Sequence, residues 1–202
     1  SYISHTDTKE GFVNQMYHKV RNHTLTQKTN WVQSLFTGHK GHLLEVGAGT
    51  GAFAHSMFKK GWKVTALEPD ASSRQKALEI YDIQLLPIEE LFQLEPAKYE
   101  IITLWHVLEH VHDLNTYIKT FNSLLKPNGR LIIAVPNYTS YDAGFYKNYW
   151  AAYDVPRHLY HFSPLSMHYL AKKHKMSIVQ KLPMWFDSFY AVSYTHLRAH
   201  ET

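Results

Sequence analysis

Cysteine is absent from the 202 residues, which excludes disulfides and thiolate metal sites and fits a reducing compartment. No apolar run approaches the ~20 residues that a bilayer-spanning helix needs. The first residues, "SYISHTDTKEG", carry neither the basic n-region nor the apolar core of a signal peptide. Long runs of one charge are missing too: 21 Lys and Arg stand against 17 Asp and Glu, a scattered formal excess of +4. So mild an excess is no electrostatic footprint for nucleic acid. A soluble, cytoplasmic protein with no membrane span and no nucleic-acid partner is the expectation. The chain also starts without Met, as a fragment would.

What is present is an ordinary globular composition, 45% hydrophobic and 19% charged, enough for one domain with a sizeable core. Residues 1–40 read as leading helices, with Phe12, Val13, Met16, Tyr17 and Val20 at helical spacing and Leu25, Val32 and Leu35 in a second stretch. From residue 41 short apolar runs (Leu43 to Val46, Val64 to Leu67, Ile83 to Leu86, Ile101 to Trp105, Leu131 to Val135) alternate with helix-like segments. That alternation predicts an α/β fold with a mostly parallel sheet covered by helices on both faces. The clearest crossover helix runs from Asp113 to Lys126, its stripe made by Leu114, Tyr117, Ile118, Phe121, Leu124 and Leu125 and its stop by "PNG". Residues 138–162 break the pattern with nine aromatics in 25 residues, and read as an insertion over the sheet edge. A helix from Pro164 to Lys175 and a strand from Met176 to Leu182 follow.

The segment "LLEVGAGTGAFA", residues 43–54, ends an apolar strand in three glycines at alternate positions. Gly47 and Gly49 allow conformations closed to other residues and leave space where Cβ atoms would stand. A helix starting near Gly51 would aim free N–H groups at the same space. Gly47, Gly49 and Ala52 satisfy the dinucleotide fingerprint, and Glu68, 21 residues after Gly47, is placed to accept ribose hydroxyls. NAD and S-adenosylmethionine both fit this pattern. Glu45, two residues before the first glycine, tips the choice, because a carboxylate there suits a cationic ligand end that NAD lacks.

Downstream, "YEIITLWHVLEHV" (99–111) and "LLKPNGRLIIAVPN" (124–137) stand at the spacings of the fourth and fifth strands of a class I methyltransferase. Over residues 41 to 182 the chain resembles that Rossmann-like family, and within it the ubiquinone-biosynthesis O-methyltransferases and type 11/12 enzymes. The resemblance implies that Gly47, Gly49 and Gly51 line the methionine and ribose part of S-adenosylmethionine, with Glu68 on the ribose diol. It also implies that Ile88 and Glu89 flank the adenine and that Trp105 and His106 close over the cofactor. Pro87 stands where the family often has an Asp for the adenine amine.

"HVLEH", residues 106–110, also matches the H-x-x-E-H of inverted zinc peptidases. That chemistry needs the motif inside a helix. Here a buried strand precedes it and Asp113 caps the next helix, so Glu109 and His110 are expected to fix a loop beneath the cofactor. No metal is assigned, though a metal role in methyl transfer stays open. In the insertion, "YDVPRHLYHFS" (153–163) gathers Asp154, Arg157, His158 and His161 among aromatics. A histidine of pKa near 6.5 can take a proton from an acceptor hydroxyl at neutral pH. His158 is the first candidate and His161 the second; a purely structural role for both is the competing reading.

Residues 193–202, "SYTHLRAHET", continue no earlier pattern and resemble a translated sequencing-adapter sequence. They are expected to contribute nothing to the domain, which then spans residues 41–192 and lacks its last strand. The expected activity is methyl transfer from S-adenosylmethionine to a small-molecule acceptor, at oxygen. An NAD-dependent oxidoreductase and a non-catalytic cofactor-binding module are the alternatives.

Overall fold

A computed structural model describes residues 7–36, 40–184 and 192–199. The chain divides into two compact units, Ser1–Thr37 and Gly38–Thr202. In the first, the expected leading helices form one continuous helix, α1, Asp7–Ser34. Thr24 and Thr29 turn their hydroxyls back onto the carbonyls of Val20 and Leu25, at 3.0 and 2.7 Å, so these poor helix formers satisfy their own polar groups inside it. No helix among the described residues is long and apolar enough to cross a membrane.

The second unit is built on β1 (His42–Val46), β2 (Lys63–Leu67), β3 (Tyr99–Trp105), β4 (Leu125–Pro136), β5 (Met176–Met184) and β6 (Val192–Ala199), in sheet order β2-β1-β3-β4-β6-β5. The first four are parallel. Leu44, Val46, Ile102, Leu104, Leu131, Ile133 and Val135 pack into one core cluster, with Ile118, Phe121 and Leu124 of α4 (Leu114–Leu124) against them. Each fully buried side chain of this kind contributes about 1.5–3 kcal/mol. Asp113 caps α4 as its sequence position predicts, accepting the Thr116 N–H at 3.1 Å and the Thr116 hydroxyl at 2.7 Å. The helix gives way to strand at Leu125, the last member of the expected stripe.

On the other face lie α2 (Ala52–Lys59) and α3 (Ala71–Tyr81), packed through Ala48, Ala54, Ala66, Ala77 and Leu85. The apolar run Ile83 to Leu86 does not make a full strand. Only Leu86 bridges, to Leu67, and Pro87 follows with no N–H to continue the ladder. The expected helix near residue 164 is α6, Pro164–Lys173, with a serine capping box at Ser163 and Ser166.

The insertion is pinched at its base, where Asn137 bridges Phe162 and the Tyr138 N–H donates to the Phe162 carbonyl at 3.0 Å. Inside it are α5 (Tyr141–Tyr146) and two short 3-10 turns, held by a small cluster of Ala143, Trp150, Ala152 and Tyr153.

The chain's end departs from expectation. The fold class holds, yet the place expected to be empty beside β4 is filled by β6, which runs antiparallel to both β4 and β5. Pairing uses backbone groups that every residue except proline carries, and "VSYTHLRA" has no proline or glycine and contains Val, Tyr and Thr. An apolar edge with open N–H and C=O groups accepts such a segment whatever its origin. Deleting residues 192–202 is therefore expected to lower the melting temperature by more than ~5 °C, since each kcal/mol shifts a domain of this size by roughly 2–4 °C. Thermal circular dichroism checks this, and an unchanged curve would remove β6 from the stable fold.

Candidate functional site

The sheet order reverses between β1 and β3: β1 leads across α2 to β2 on one side, while β3 lies on the other. In open α/β sheets a crevice forms at such a reversal, outside the carboxyl ends of the strands. The glycine segment lies there. Gly47 and Ala48 donate their N–H groups to the Leu67 carbonyl at 2.8 and 2.9 Å, and Gly51 donates to Ala48 at 2.9 Å. Gly47, Gly49 and Gly51 have φ of 74, 54 and 78°, all in the left-handed region that side chains disfavour.

Glu68 follows β2 and is buried to 8% exposure. One carboxylate oxygen accepts the Gly49 N–H at 2.7 Å and the other the Asp70 N–H at 3.0 Å. Asp70 caps α3 through the Ser73 N–H at 2.8 Å, and its hydrogen bonds from Ser72 and Ser73 push its carboxyl down to about 2. That cap is complete at neutral pH and is lost only as pH falls through the folded value. Arg74, one turn into α3, donates to the Glu68 carbonyl at 2.7 Å. Glu45 is also buried, at 2% exposure, on the sheet face shared by its neighbour Ala66.

The opposite wall is the turn after β3. Trp105 is buried and meets Phe53 of α2 edge to face, ring centres 5.3 Å apart. His106 has a φ of 59° and donates its N–H to the Ala134 carbonyl at 3.0 Å. A non-glycine residue in that region at a strand end is held by its surroundings. Val107 reaches across the crevice: a Cβ built on Gly47 would lie 2.3 Å from its Cγ2. At Gly49 the same construction meets nothing within 4 Å. Ile88 and Glu89 start the 3-10 turn after the Leu86 bridge, Ile88 half-buried against the core and Glu89 exposed.

"HVLEH" does not form a helix of its own; Leu108–His110 is one 3-10 turn. The segment after Pro156 is fastened to it. The Glu109 carbonyl accepts the Leu159 N–H at 2.8 Å and the Tyr160 N–H at 3.3 Å, and the Tyr160 hydroxyl donates to the His112 carbonyl at 3.1 Å. His110 and His158 thereby come ring to ring at 4.7 Å. His158 Nδ1 faces the Ala152 carbonyl at 2.8 Å, and His161 Nε2 the Tyr153 carbonyl at 2.9 Å. Arg157 grips Asp154 at 2.8 and 3.0 Å and holds its carboxyl below the usual carboxylate range. His161, with Leu114, Asn115, Tyr160, Tyr169 and Lys173, lines an open groove between α4 and α6.

Of the residues picked from the glycine motif, Gly49 and Glu68 meet through a hydrogen bond and Gly47 lies against the turn after β3, while His158 of the insertion joins that turn through His110 and His161 lines the groove. Their joining was missed in the sequence, because 48 residues separate His110 from His158 and neither spacing nor period links them. The roles of Val107 as a wall and Arg74 as a brace carry no sequence signal either.

A family model described as a methyltransferase domain matches residues 17–181. The chain is 29% identical over 119 residues to a ubiquinone biosynthesis O-methyltransferase of Acinetobacter baumannii, covering 54% of this chain and 50% of that one. With the enzyme of that name from Pasteurella multocida it is 35% identical over 119 residues, covering 51% and 48%. The chain spans about half the length of these curated relatives. Among solved structures, magnesium protoporphyrin IX methyltransferase from Synechocystis with bound S-adenosylhomocysteine superposes with a TM-score of 0.69 at 16% identity, covering 98% of this chain and 90% of that one. The 1,6-didemethyltoxoflavin-N1-methyltransferase of Burkholderia thailandensis superposes with 0.67 at 16% identity, covering 100% and 94%.

The two glycines at the crevice are expected to respond differently to one added methyl group. Gly47→Ala forces Val107 or the backbone aside and is expected to cost about 2 kcal/mol or more. Gly49→Ala enters open space and carries only the left-handed penalty, about 1 kcal/mol. Urea unfolding of the two variants measures both; equal losses would mean that Val107 does not press on Gly47.

Proposed function

The chain belongs to the methyltransferase domain family, and from that premise we propose that it transfers a methyl group from S-adenosylmethionine to an oxygen of a small-molecule acceptor. The observation that carries the reading is the Glu68 carboxylate after β2, bonded to the Gly49 and Asp70 N–H groups, together with the open space where a side chain at Gly49 would stand. A carboxylate so braced has lone pairs left for a vicinal diol. Gly47, Gly49 and Gly51 admit the backbone side of the ligand, Glu45 balances its cationic end, and Ile88 and Glu89 hold the adenine. Trp105 and His106 form the opposite wall. S-adenosylmethionine supplies the electrophilic methyl on its sulfonium.

The protein's own work is alignment and proton handling. Aligning the acceptor oxygen, methyl and sulfur is the larger part, because held reactants escape the entropy of encounter. The proton must also leave the acceptor oxygen. With His158 Nδ1–H donating to the Ala152 carbonyl, the lone pair is on Nε2, the atom left to take a proton. His161 has the opposite tautomer, with Nε2–H on the Tyr153 carbonyl and its lone pair on Nδ1. His158 is the first proton acceptor in this reading and His161 the second. Oxygen as the target follows the two relatives named as O-methyltransferases.

Calorimetry on the whole chain is expected to show S-adenosylhomocysteine binding and no NADH binding. NADH bound alone would replace this reading with hydride chemistry. Glu68→Ala is expected to weaken S-adenosylhomocysteine about 10- to 100-fold, the loss of a charge-assisted contact worth about 1.5–3 kcal/mol. An unchanged affinity takes Glu68 out of the site. His158→Ala is expected to slow labelled-methyl transfer by ~10²-fold while leaving cofactor affinity in place. If only His161→Ala does so, the proton goes there.

A further inference from the structure

We infer that the groove between α4 and α6 binds a small organic anion that carries an apolar body, at a place separate from the glycine crevice. The groove has a volume of about 330 Å³, at the lower end of the range for small-molecule sites. It follows one face of α6 from Ser166 through Leu170 to Lys173. That spacing of i, i+4 and i+7 spans roughly 10 Å.

The two ends of the groove differ in chemistry. Tyr160 and Phe162, just before α6, make the apolar end, their ring centres 6.2 Å apart. Tyr160 spends its hydroxyl proton on the His112 carbonyl and Ser166 spends its own on the capping box, so neither has a free donor to offer. At the other end stand Lys173 and Asn115. His174, the residue after Lys173, is buried to 7% exposure, and its Nε2 lies 3.1 Å from Asn115 Oδ1. An amide oxygen only accepts, so His174 supplies the proton, and the Asn115 amide N–H groups keep no protein partner among the described residues. Lys173 has no carboxylate partner among the described residues either, and none of the residues lining the groove is acidic. Asp113, next to Leu114 of the groove wall, gives one oxygen to the Thr116 N–H and the other to the Thr116 hydroxyl. Burial, with the Lys173 and Lys119 charges, holds His174 below the usual imidazole range. The polar end therefore sets two ammonium groups around a neutral ring.

An anionic head at Lys173 and Asn115 gains charge-assisted hydrogen bonds, while its apolar body displaces water from Leu114, Leu170 and the two rings. None of the lining residues belongs to the glycine turn, to Glu68 or to the wall at Trp105 and His106. Binding requires neither the methyl donor nor the acceptor, so the site stands apart from the methyl-transfer reading. It has one consequence for that reading. His161 lines the groove and His158 does not, so an occupant packs on the second candidate proton acceptor and leaves the first free.

The test is a titration of the isotope-labelled full chain with naphthalene-2-sulfonate, read by amide chemical shifts. One saturable site is expected, with the shifting amides at residues 114–115, 160–162 and 166–173. The neutral naphthalene-2-sulfonamide is expected to bind ~5-fold more weakly, the worth of one exposed charge pair. Lys173→Met, which keeps the apolar stem, is expected to weaken the sulfonate by the same ~5-fold and to leave the sulfonamide unchanged. Asn115→Asp keeps the oxygen that His174 uses and sets a negative charge against the head, with an expected loss of ~10-fold or more. Lys181→Met, at an exposed lysine on β5, is expected to change nothing. Excess S-adenosylhomocysteine is expected to leave the sulfonate in place. If Lys173→Met and Asn115→Asp, both folded by circular dichroism, bind the sulfonate as the parent does, the groove selects no anion and the proposal fails. It fails too if the sulfonamide binds equally well, or if S-adenosylhomocysteine displaces the probe and so puts it in the crevice.

Discussion

A single hydrogen bond, from the Gly49 N–H to the Glu68 carboxylate, ties the two ends of the first crossover together. β1 delivers the glycine segment and β2 delivers Glu68, and only when the two strands are in register do the donor and the acceptor meet. The pairing sets Glu45 beside Ala66 and Val46 beside Leu67, which brings the carboxyl ends of the two strands level. The left-handed φ at Gly47, Gly49 and Gly51 follows from the same demand, because the chain must turn sharply between a buried strand and a helix. Asp70 and Arg74 then hold Glu68 from behind. The shape of the crevice thus descends from one pairing between β1 and β2.

A second set of tethers does for the insertion what that bond does for the glycine turn. Twenty-five aromatic-rich residues leave the sheet after β4 and return at Phe162, and the backbone bridge at Asn137 closes their base. Without further contacts such a loop would sample many positions. The Glu109 carbonyl, taking two N–H groups, and the His112 carbonyl, taking the Tyr160 hydroxyl, fix its returning limb on the turn after β3. Neutral hydrogen bonds of this type contribute about 0.5–1.5 kcal/mol each. Their larger effect is positional, because they convert residues remote in sequence into one cluster of ionisable groups.

What could be read from the sequence was whatever repeats or punctuates. Apolar runs at 43–46, 64–67, 101–105 and 131–135 became β1 to β4 because each is buried on both faces, and the stripe from Leu114 to Leu124 became α4 because one face is. The glycine triplet was legible because only glycine tolerates those dihedral angles. Ile83 to Leu86 misled, since four apolar residues before a proline look like a strand and supply only a single bridge. The tail misled in the other direction: a segment with no pattern of its own was given one by the edge it lies on. The meeting of His110 with His158 had no local signature, because it is made by backbone bonds between loops.

The position of β6 orders events on the ribosome. β5 is complete at Met184, yet among the described residues it pairs only with β6, which ends at Ala199 and lies between it and β4. During synthesis β5 therefore emerges before the strand that fastens it to the sheet. α6 precedes β5 and shares a core cluster with its Met176, but the β5 N–H and C=O groups that β6 takes up lack their strand partner until β6 has emerged. The parallel half of the sheet forms in the order of translation. The antiparallel half must wait for β6, which follows β5 in the chain and enters between β5 and β4.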